Sequence, residues 1–155
     1  MKLHNYEVRV DWTGNAGVGT TAYESYRRDH IISAHGKPEI PGSSDPGFRG
    51  DATRYNPEEL FVASLSACHM LWYLHLCATN GIVVLAYTDP AHGEMTENED
   101  GSGEFTRVLL QPRVRIAPGG DPGKAMALHD DAHRLCFLAR SVRFAVDVAA
   151  KIDGP

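Results

Sequence analysis

The sequence predicts an α+β fold: antiparallel sheet on one side, two helices on the other, and one long, buried central helix. Three observations carry that expectation. The stretch from Asn56 to Gly81 has helix punctuation at both ends and no polar stripe; short runs of alternating apolar and polar residues come in hairpin-like pairs; and a second helix precedes the last such run. The 155 residues fit a single domain, 1–155.

In chain order, Tyr6, Val8, Val10 and Trp12 alternate with Glu7, Arg9 and Asp11, the period-two signature of a strand with one buried face. Gly14, Gly17 and Gly19 crowd the turn that follows. Thr20 to Arg27 then reads as the returning strand of a hairpin, with a short strand through His30, Ile31 and Ile32 behind it. The turn GNAGVG lacks the helix that would aim its amides at a phosphate, so it is a hairpin turn rather than an anion cradle. From Ala34 to Tyr55 the chain is rich in Gly, Pro, Ser and Asp without a period. A connection that long is uncommon in a compact domain; it carries Lys37, Arg49 and Arg54, as a solvated connector or as the lining of a site.

Asn56 is a good N-cap, Pro57 suits the first helical turn, and Glu59 completes a capping-box pattern. Gly81 fits the left-handed stop. Between them, apolar residues from Leu60 to Cys77 point in every direction around the axis, so the helix must be covered all round. A membrane span is disfavoured, because Ser64, Ser66, His69 and His75 interrupt the run and no basic cluster flanks it. A helix of ~24 residues is ~36 Å long, more than one small domain easily covers. A second copy of the chain is the expected cover, which places the helix at a homodimer seam.

After the helix, Ile82 to Tyr87 is strand-like, and the segment from Gly93 to Ile116 reads as a hairpin with an acidic turn at Glu97 to Gly103 and a strand from Phe105 to Ile116. Pro112 inside that strand suggests an edge or a bulge. Asp121 caps a second helix, with Pro122 at its first position, running to Leu135 or Cys136. Val142 to Ala150 closes the chain as a strand.

Charge and cysteine content narrow the chemistry. A formal net charge of −5 argues against nucleic acid or an anionic membrane as partner. Met1 is not followed by a basic and then an apolar region, so no secretory signal is visible. Three cysteines, an odd number, do not make a secreted disulfide framework, and a cytoplasmic protein with one or two useful thiols is expected. Cys68 lies mid-helix and Cys136 at the end of the second helix, so packing of the two helices can bring the thiols together for redox work. Cys68 is too far from its helix start for the dipole to activate it and needs a cation from elsewhere. Arg27, Arg28, Arg49 and Arg54 are the candidates. Glu58 stands ten residues, about 15 Å along a continuous helix, from Cys68. It can serve a cysteine across a dimer seam or act through a long arginine.

These features resemble the OsmC/Ohr organic hydroperoxide reductases: NPEEL at the helix start, the cysteine ten residues beyond Glu58, the second cysteine closing the second helix, and the WTG and GTT ends of the first hairpin. The resemblance covers nearly the whole chain. It implies an intertwined homodimer with a site at each interface, Cys68 as the peroxidatic thiolate, Cys136 as the resolving thiol, and Glu58 as the carboxylate that positions an essential arginine. No organic cofactor or metal is implied; the partners are an organic hydroperoxide and a dithiol reductant of the lipoyl type, in an oxidative-stress role. The chain departs from the pattern twice. The hairpin turn GNAGVG holds no arginine, which passes that role to Arg28 with Arg49 behind it, and Phe137 stands where proline tends to follow the resolving cysteine. Phe61, Leu65, Met70, Leu71 and Trp72 are core or a preference for alkyl peroxides.

Two rival readings remain open at this level. His129, His133 and Cys136 fall on one helix face with zinc-compatible ligand types. A non-catalytic dimeric module binding a small apolar ligand is the other. His69 and His75 share no face and read as hydrogen-bonded core or interface residues; Cys77 reads as a buried small hydrophobe.

Overall fold

The first turn of the long helix α1 (Pro57–Thr79) closes as its spacing predicts. The Glu59 amide donates to Asn56 Oδ1 at 2.8 Å, and the Asn56 amide donates to Glu59 Oε2 at 3.1 Å, a reciprocal capping box. Gly81, at φ 74°, turns the chain out of the other end. The structure, a computed structural model, describes residues 1–153. Among these, the chain packs as two compact units, one from Met1 to Leu60 and one from Phe61 onward.

In the first unit β1 (Arg9–Trp12), β2 (His30–Ser33) and β3 (Ile40–Gly42) form an antiparallel sheet in that order, with Trp12 opposite His30 and His30 opposite Gly42. The returning strand is therefore β2, not Thr20 to Arg27. That segment folds as turns because short polar side chains satisfy its backbone locally. The Asn15 side-chain oxygen accepts from the amides of Gly17 and Gly19 at 2.8 and 3.0 Å, and the Ser25 hydroxyl donates to the carbonyls of Gly19 and Ala22. The long connector is mostly irregular, as expected, but it contributes β3 and a single 3₁₀ turn at Pro46–Phe48 capped by Asp45.

The second unit holds two three-stranded sheets. One has the order β4 (Val84–Thr88), β7 (Arg113–Ile116), β9 (Lys151–Asp153); the other β5 (His92–Glu97), β6 (Gly103–Leu110), β8 (Ala145–Val148). The expected strand from Phe105 to Ile116 is thus two strands in two sheets. Pro112 has no amide for a ladder, and the Gln111 amide is taken by Asp89 Oδ1 at 2.7 Å, so pairing stops between β6 and β7. The expected closing strand, Val142 to Ala150, contains β8, and β9 follows it as a further strand that was not expected. These run parallel to β6 and β7, with Arg107 opposite Ala145 and Arg113 opposite Lys151, against the all-antiparallel expectation. The helix α2 (Pro122–Leu135) lies in the crossover that such parallel pairing requires.

Two apolar clusters fill this unit. Leu65 joins Val108, Leu110 and Val146, while Tyr73 and Cys77 join Ile82, Val114, Ile116 and the inner face of α2 at Ala125, Leu128 and Ala132. By length and composition α1 is apolar enough to cross a membrane. Within one chain it fully buries only Leu65, His69, Tyr73 and Cys77, a stripe of period four, and leaves Leu71 63% exposed. The cover expected on every side is not supplied by the chain itself.

Asn56→Ala removes the acceptor for the first turn and is expected to lower unfolding stability by about 1 kcal/mol, with Asn56→Asp retaining most of it, as read from urea midpoints.

Candidate active site

Asp121 Oδ1 accepts from the Lys124 amide at 3.0 Å and starts α2 with Pro122 in its first turn. At the other end Cys136 is the C-cap: its amide donates to the Ala132 carbonyl at 2.9 Å, and the backbone leaves the helix there. This sets the Cys136 thiol near that of Cys68 on α1, close enough for Cys68 to act on its ionisation. Both are free thiols.

The two sulfurs differ in environment. Cys136 is 1% exposed, whereas Cys68 is half-buried. Burial, then the neighbouring Cys68 thiol, push the Cys136 thiol up to about 11; the Ala139 amide, donating to its sulfur at 3.4 Å, works in the opposite direction without offsetting them. Cys136 is therefore a protonated, inward thiol at neutral pH, and Cys68 is the one that meets solvent. Cys68 opens on a cavity of about 350 Å³ lined by Leu71, Trp72, His75 and Phe137. The first three follow Cys68 by three, four and seven residues and so share its helix face. Trp72 meets Phe137 edge to face at 5.6 Å between ring centres and His75 at 5.8 Å. Of the apolar neighbours weighed from sequence, Leu71 and Trp72 line this cavity, whereas Leu65 and Phe61 belong to the core. His75 and Phe137 were legible as lining only through the seven-residue spacing from Cys68 and the adjacency to Cys136.

His69, the residue after Cys68, and His129 lie edge to edge with their ring planes 2° apart and centres 5.3 Å apart, joined by a 3.0 Å hydrogen bond between His69 Nε2 and His129 Nδ1. The ring of Tyr73 covers His129 at 3.8 Å. Both histidines are buried, and His69 Nδ1 and His129 Nε2 have no protein partner. In either tautomer one of these two atoms is an unmatched donor and the other an unmatched acceptor, each at a cost of about 1–3 kcal/mol. Burial, with His133 nearby, lowers His69 to about 4 against a pull upward from Asp89. Burial, then His69 itself, lowers His129 to about 3.

His69 is hydrogen-bonded core, as expected; its partner His129 was not anticipated. That pairing turns His129 toward α1, and among the described residues no three His, Cys, Asp or Glu side chains are grouped to hold a metal ion. The zinc set of His129, His133 and Cys136 is not assembled. Cys77 is buried in the same apolar cluster as Tyr73.

The remaining expected site residues lie in the first unit. Arg28 donates from Nη1 to the Tyr26 carbonyl at 2.6 Å and from Nη2 to the Tyr23 carbonyl at 2.8 Å, with its guanidinium over both tyrosine rings at 4.2 and 4.3 Å. Among the described residues no carboxylate pairs with it, Glu58 included. Arg49, left-handed at φ 64°, reaches the Tyr23 ring at 5.8 Å. Glu58 sits in the first turn of α1.

Two helices on small mixed sheets, with a cysteine in the middle of the first and another at the end of the second, define the class of fold. The chain belongs to the OsmC-like protein family, whose model matches residues 50–151. Among solved structures, an OsmC-like protein of unknown function from Vibrio cholerae is similar at 31% identity and a TM-score of 0.85, over 97% of this chain and all of that one. An organic hydroperoxide resistance protein from Elizabethkingia anophelis shares the fold at 21% identity and TM-score 0.67, covering 98% of this chain and 99% of the other. OhrB of Bacillus subtilis does so at 22% and 0.58, covering 96% and 98%. Among curated proteins no match is found.

The histidine pair makes a pH prediction. Both folded values lie below the ordinary 6.5, so the fold holds the neutral forms. Their contribution is complete above about pH 6.5 and is lost as the pH falls toward 4 and then 3. Urea midpoints are expected to drop between pH 7 and pH 4.5, and to drop less in a His69→Leu/His129→Leu double variant.

Proposed function

We propose that the chain is a two-cysteine thiol peroxidase that reduces organic hydroperoxides to alcohols. The nearness of a half-buried Cys68, at the wall of an apolar cavity, to a buried Cys136 is the observation that carries this reading. The Cys68 thiolate attacks the O–O bond, the alcohol departs, and a sulfenic acid forms on Cys68. Cys136 condenses with it to a disulfide, and an external dithiol of the lipoyl type restores both thiols by exchange. The cavity, with Leu71, Trp72 and Phe137, suits the organic substituent of the substrate better than hydrogen peroxide.

Arg28 is the proposed activating cation. It is held by two carbonyls and two ring faces, which keep its charge unpaired within the described residues and available to a thiolate. Glu58, which does not pair with it within one chain, takes its positioning role across the homodimer seam, and Arg49 is the second candidate. The working form is a homodimer in the cytoplasm, in which a second copy covers the apolar surface that α1 leaves open. Resemblance to proteins named for organic hydroperoxide resistance supports the same reading.

Dithiol-dependent consumption of cumene or tert-butyl hydroperoxide tests it. Turnover is expected in the wild type and only background in Cys68→Ser; no turnover by the fully reduced wild type contradicts the reading. Arg28→Ala is expected to slow turnover about tenfold or more at neutral pH.

A further inference from the structure

Two polar pairs link α1 to α2 and its C-cap. Cys68 and His69 are consecutive on α1, and His129 precedes Cys136, the residue that ends α2, by seven residues or two turns. The imidazole bond therefore ties α2 to α1 at the residue that follows Cys68. Two other side-chain bonds between these segments are described. Tyr73 donates to the Ala125 carbonyl at 3.1 Å one turn further along α1, and Lys124 donates to the Asn80 carbonyl at 2.8 Å at the exposed far end.

We propose that His69 and His129 are positioning residues for the resolving step: their hydrogen bond sets the register of α2 on α1 and so keeps Cys136 within reach of Cys68. This rests on the thiol-peroxidase reading above. In that step the Cys136 sulfur attacks the sulfenic sulfur of Cys68. The S–S bond forms, the S–O bond breaks, and the departing hydroxide takes the Cys136 proton and leaves as water. The two electrons that reduced the hydroperoxide are returned later by the external dithiol.

Apolar attraction is non-directional, whereas a 3.0 Å bond between coplanar rings defines one alignment. Nucleophilic displacement at sulfur is sensitive to an error of about 1 Å in approach. The pair is also a poor choice for stability alone. Two leucines would fill such a space without leaving His69 Nδ1 and His129 Nε2 unmatched. Its place beside the thiols, rather than elsewhere in the core, is what positioning requires.

The test exploits which ring nitrogen each histidine uses. His69 bonds through Nε2, a position that the end of a glutamine side chain occupies; His129 bonds through Nδ1, a position matched by asparagine. His69→Gln and His129→Asn preserve the bond, His129→Gln keeps the chemistry but overshoots by one methylene, and the His69→Leu/His129→Leu pair removes it. Reduced protein is mixed rapidly with one equivalent of cumene hydroperoxide, and sulfenic acid is trapped with dimedone while the Cys68–Cys136 disulfide is quantified.

In the leucine pair and in His129→Gln, disulfide formation is expected to slow about tenfold or more, with dimedone-trappable sulfenic acid persisting. Steady-state kcat falls while kcat/KM for the peroxide holds. His69→Gln and His129→Asn recover the disulfide rate. An unchanged disulfide rate in folded leucine-pair and His129→Gln proteins overturns the inference, as does kcat/KM falling in step with kcat. If the leucine pair does not fold, the contrast between asparagine and glutamine at position 129 decides the matter alone. A wild type that forms no disulfide at all overturns the peroxidase reading itself, a result distinct from either.

Discussion

The packing of α2 against the middle of α1 is the constraint on which the rest of the second unit depends. α1 offers a stripe of Leu65, His69, Tyr73 and Cys77, and the inner face of α2 offers Ala125, Leu128, His129 and Ala132. The small residues on α2 let the helices approach closely enough for His69 to reach His129 and for Cys136, at the helix end, to reach Cys68. Both sheets are then arranged around that pair. β6 and β7 diverge at Gln111 and Pro112, and β8 and β9 return beside them after the chain has passed through α2.

The same packing creates the inequality between the thiols. Cys136 stands where α2 ends against its partner helix, is buried, and is held protonated; Cys68 stands at the margin of the contact and reaches the cavity. The assignment of roles in the proposed cycle follows from this difference in exposure, because the sulfur that meets substrate must be accessible and the resolving sulfur need only reach its neighbour. A buried polar pair next to the thiols is costly, and the cost is intelligible if alignment rather than stability is what the site requires.

Much of this was legible in the sequence where the signal is local. Asn56, Pro57, Glu59 and Gly81 delimit α1, and Asp121 with Pro122 starts α2, because caps depend on residues within one turn. The thiol pair was legible as a possibility from the placement of Cys68 and Cys136 at mid-helix and helix end. What was not legible was long-range. Thr20 to Arg27 has strand-like composition, yet Asn15 and Ser25 bind the local backbone and defer pairing to His30. Periodicity cannot report that one apolar run serves two sheets, so the split at Pro112 was missed, and the three residues of β9 are too few to show a period. Nor can a single helix pattern tell whether His129 faces a metal or a histidine on another element; the answer lay sixty residues away in His69.

The proposed cycle makes Cys68 and Cys136 one redox unit. Peptide mapping by mass spectrometry, after one equivalent of an organic hydroperoxide is added to the fully reduced protein, reads this out. A single internal cross-link between the peptides carrying Cys68 and Cys136 is expected, with Cys77 still alkylatable and the chain lighter by two hydrogen atoms. Recovery of Cys68 as sulfinic or sulfonic acid beside a free Cys136 thiol would contradict it.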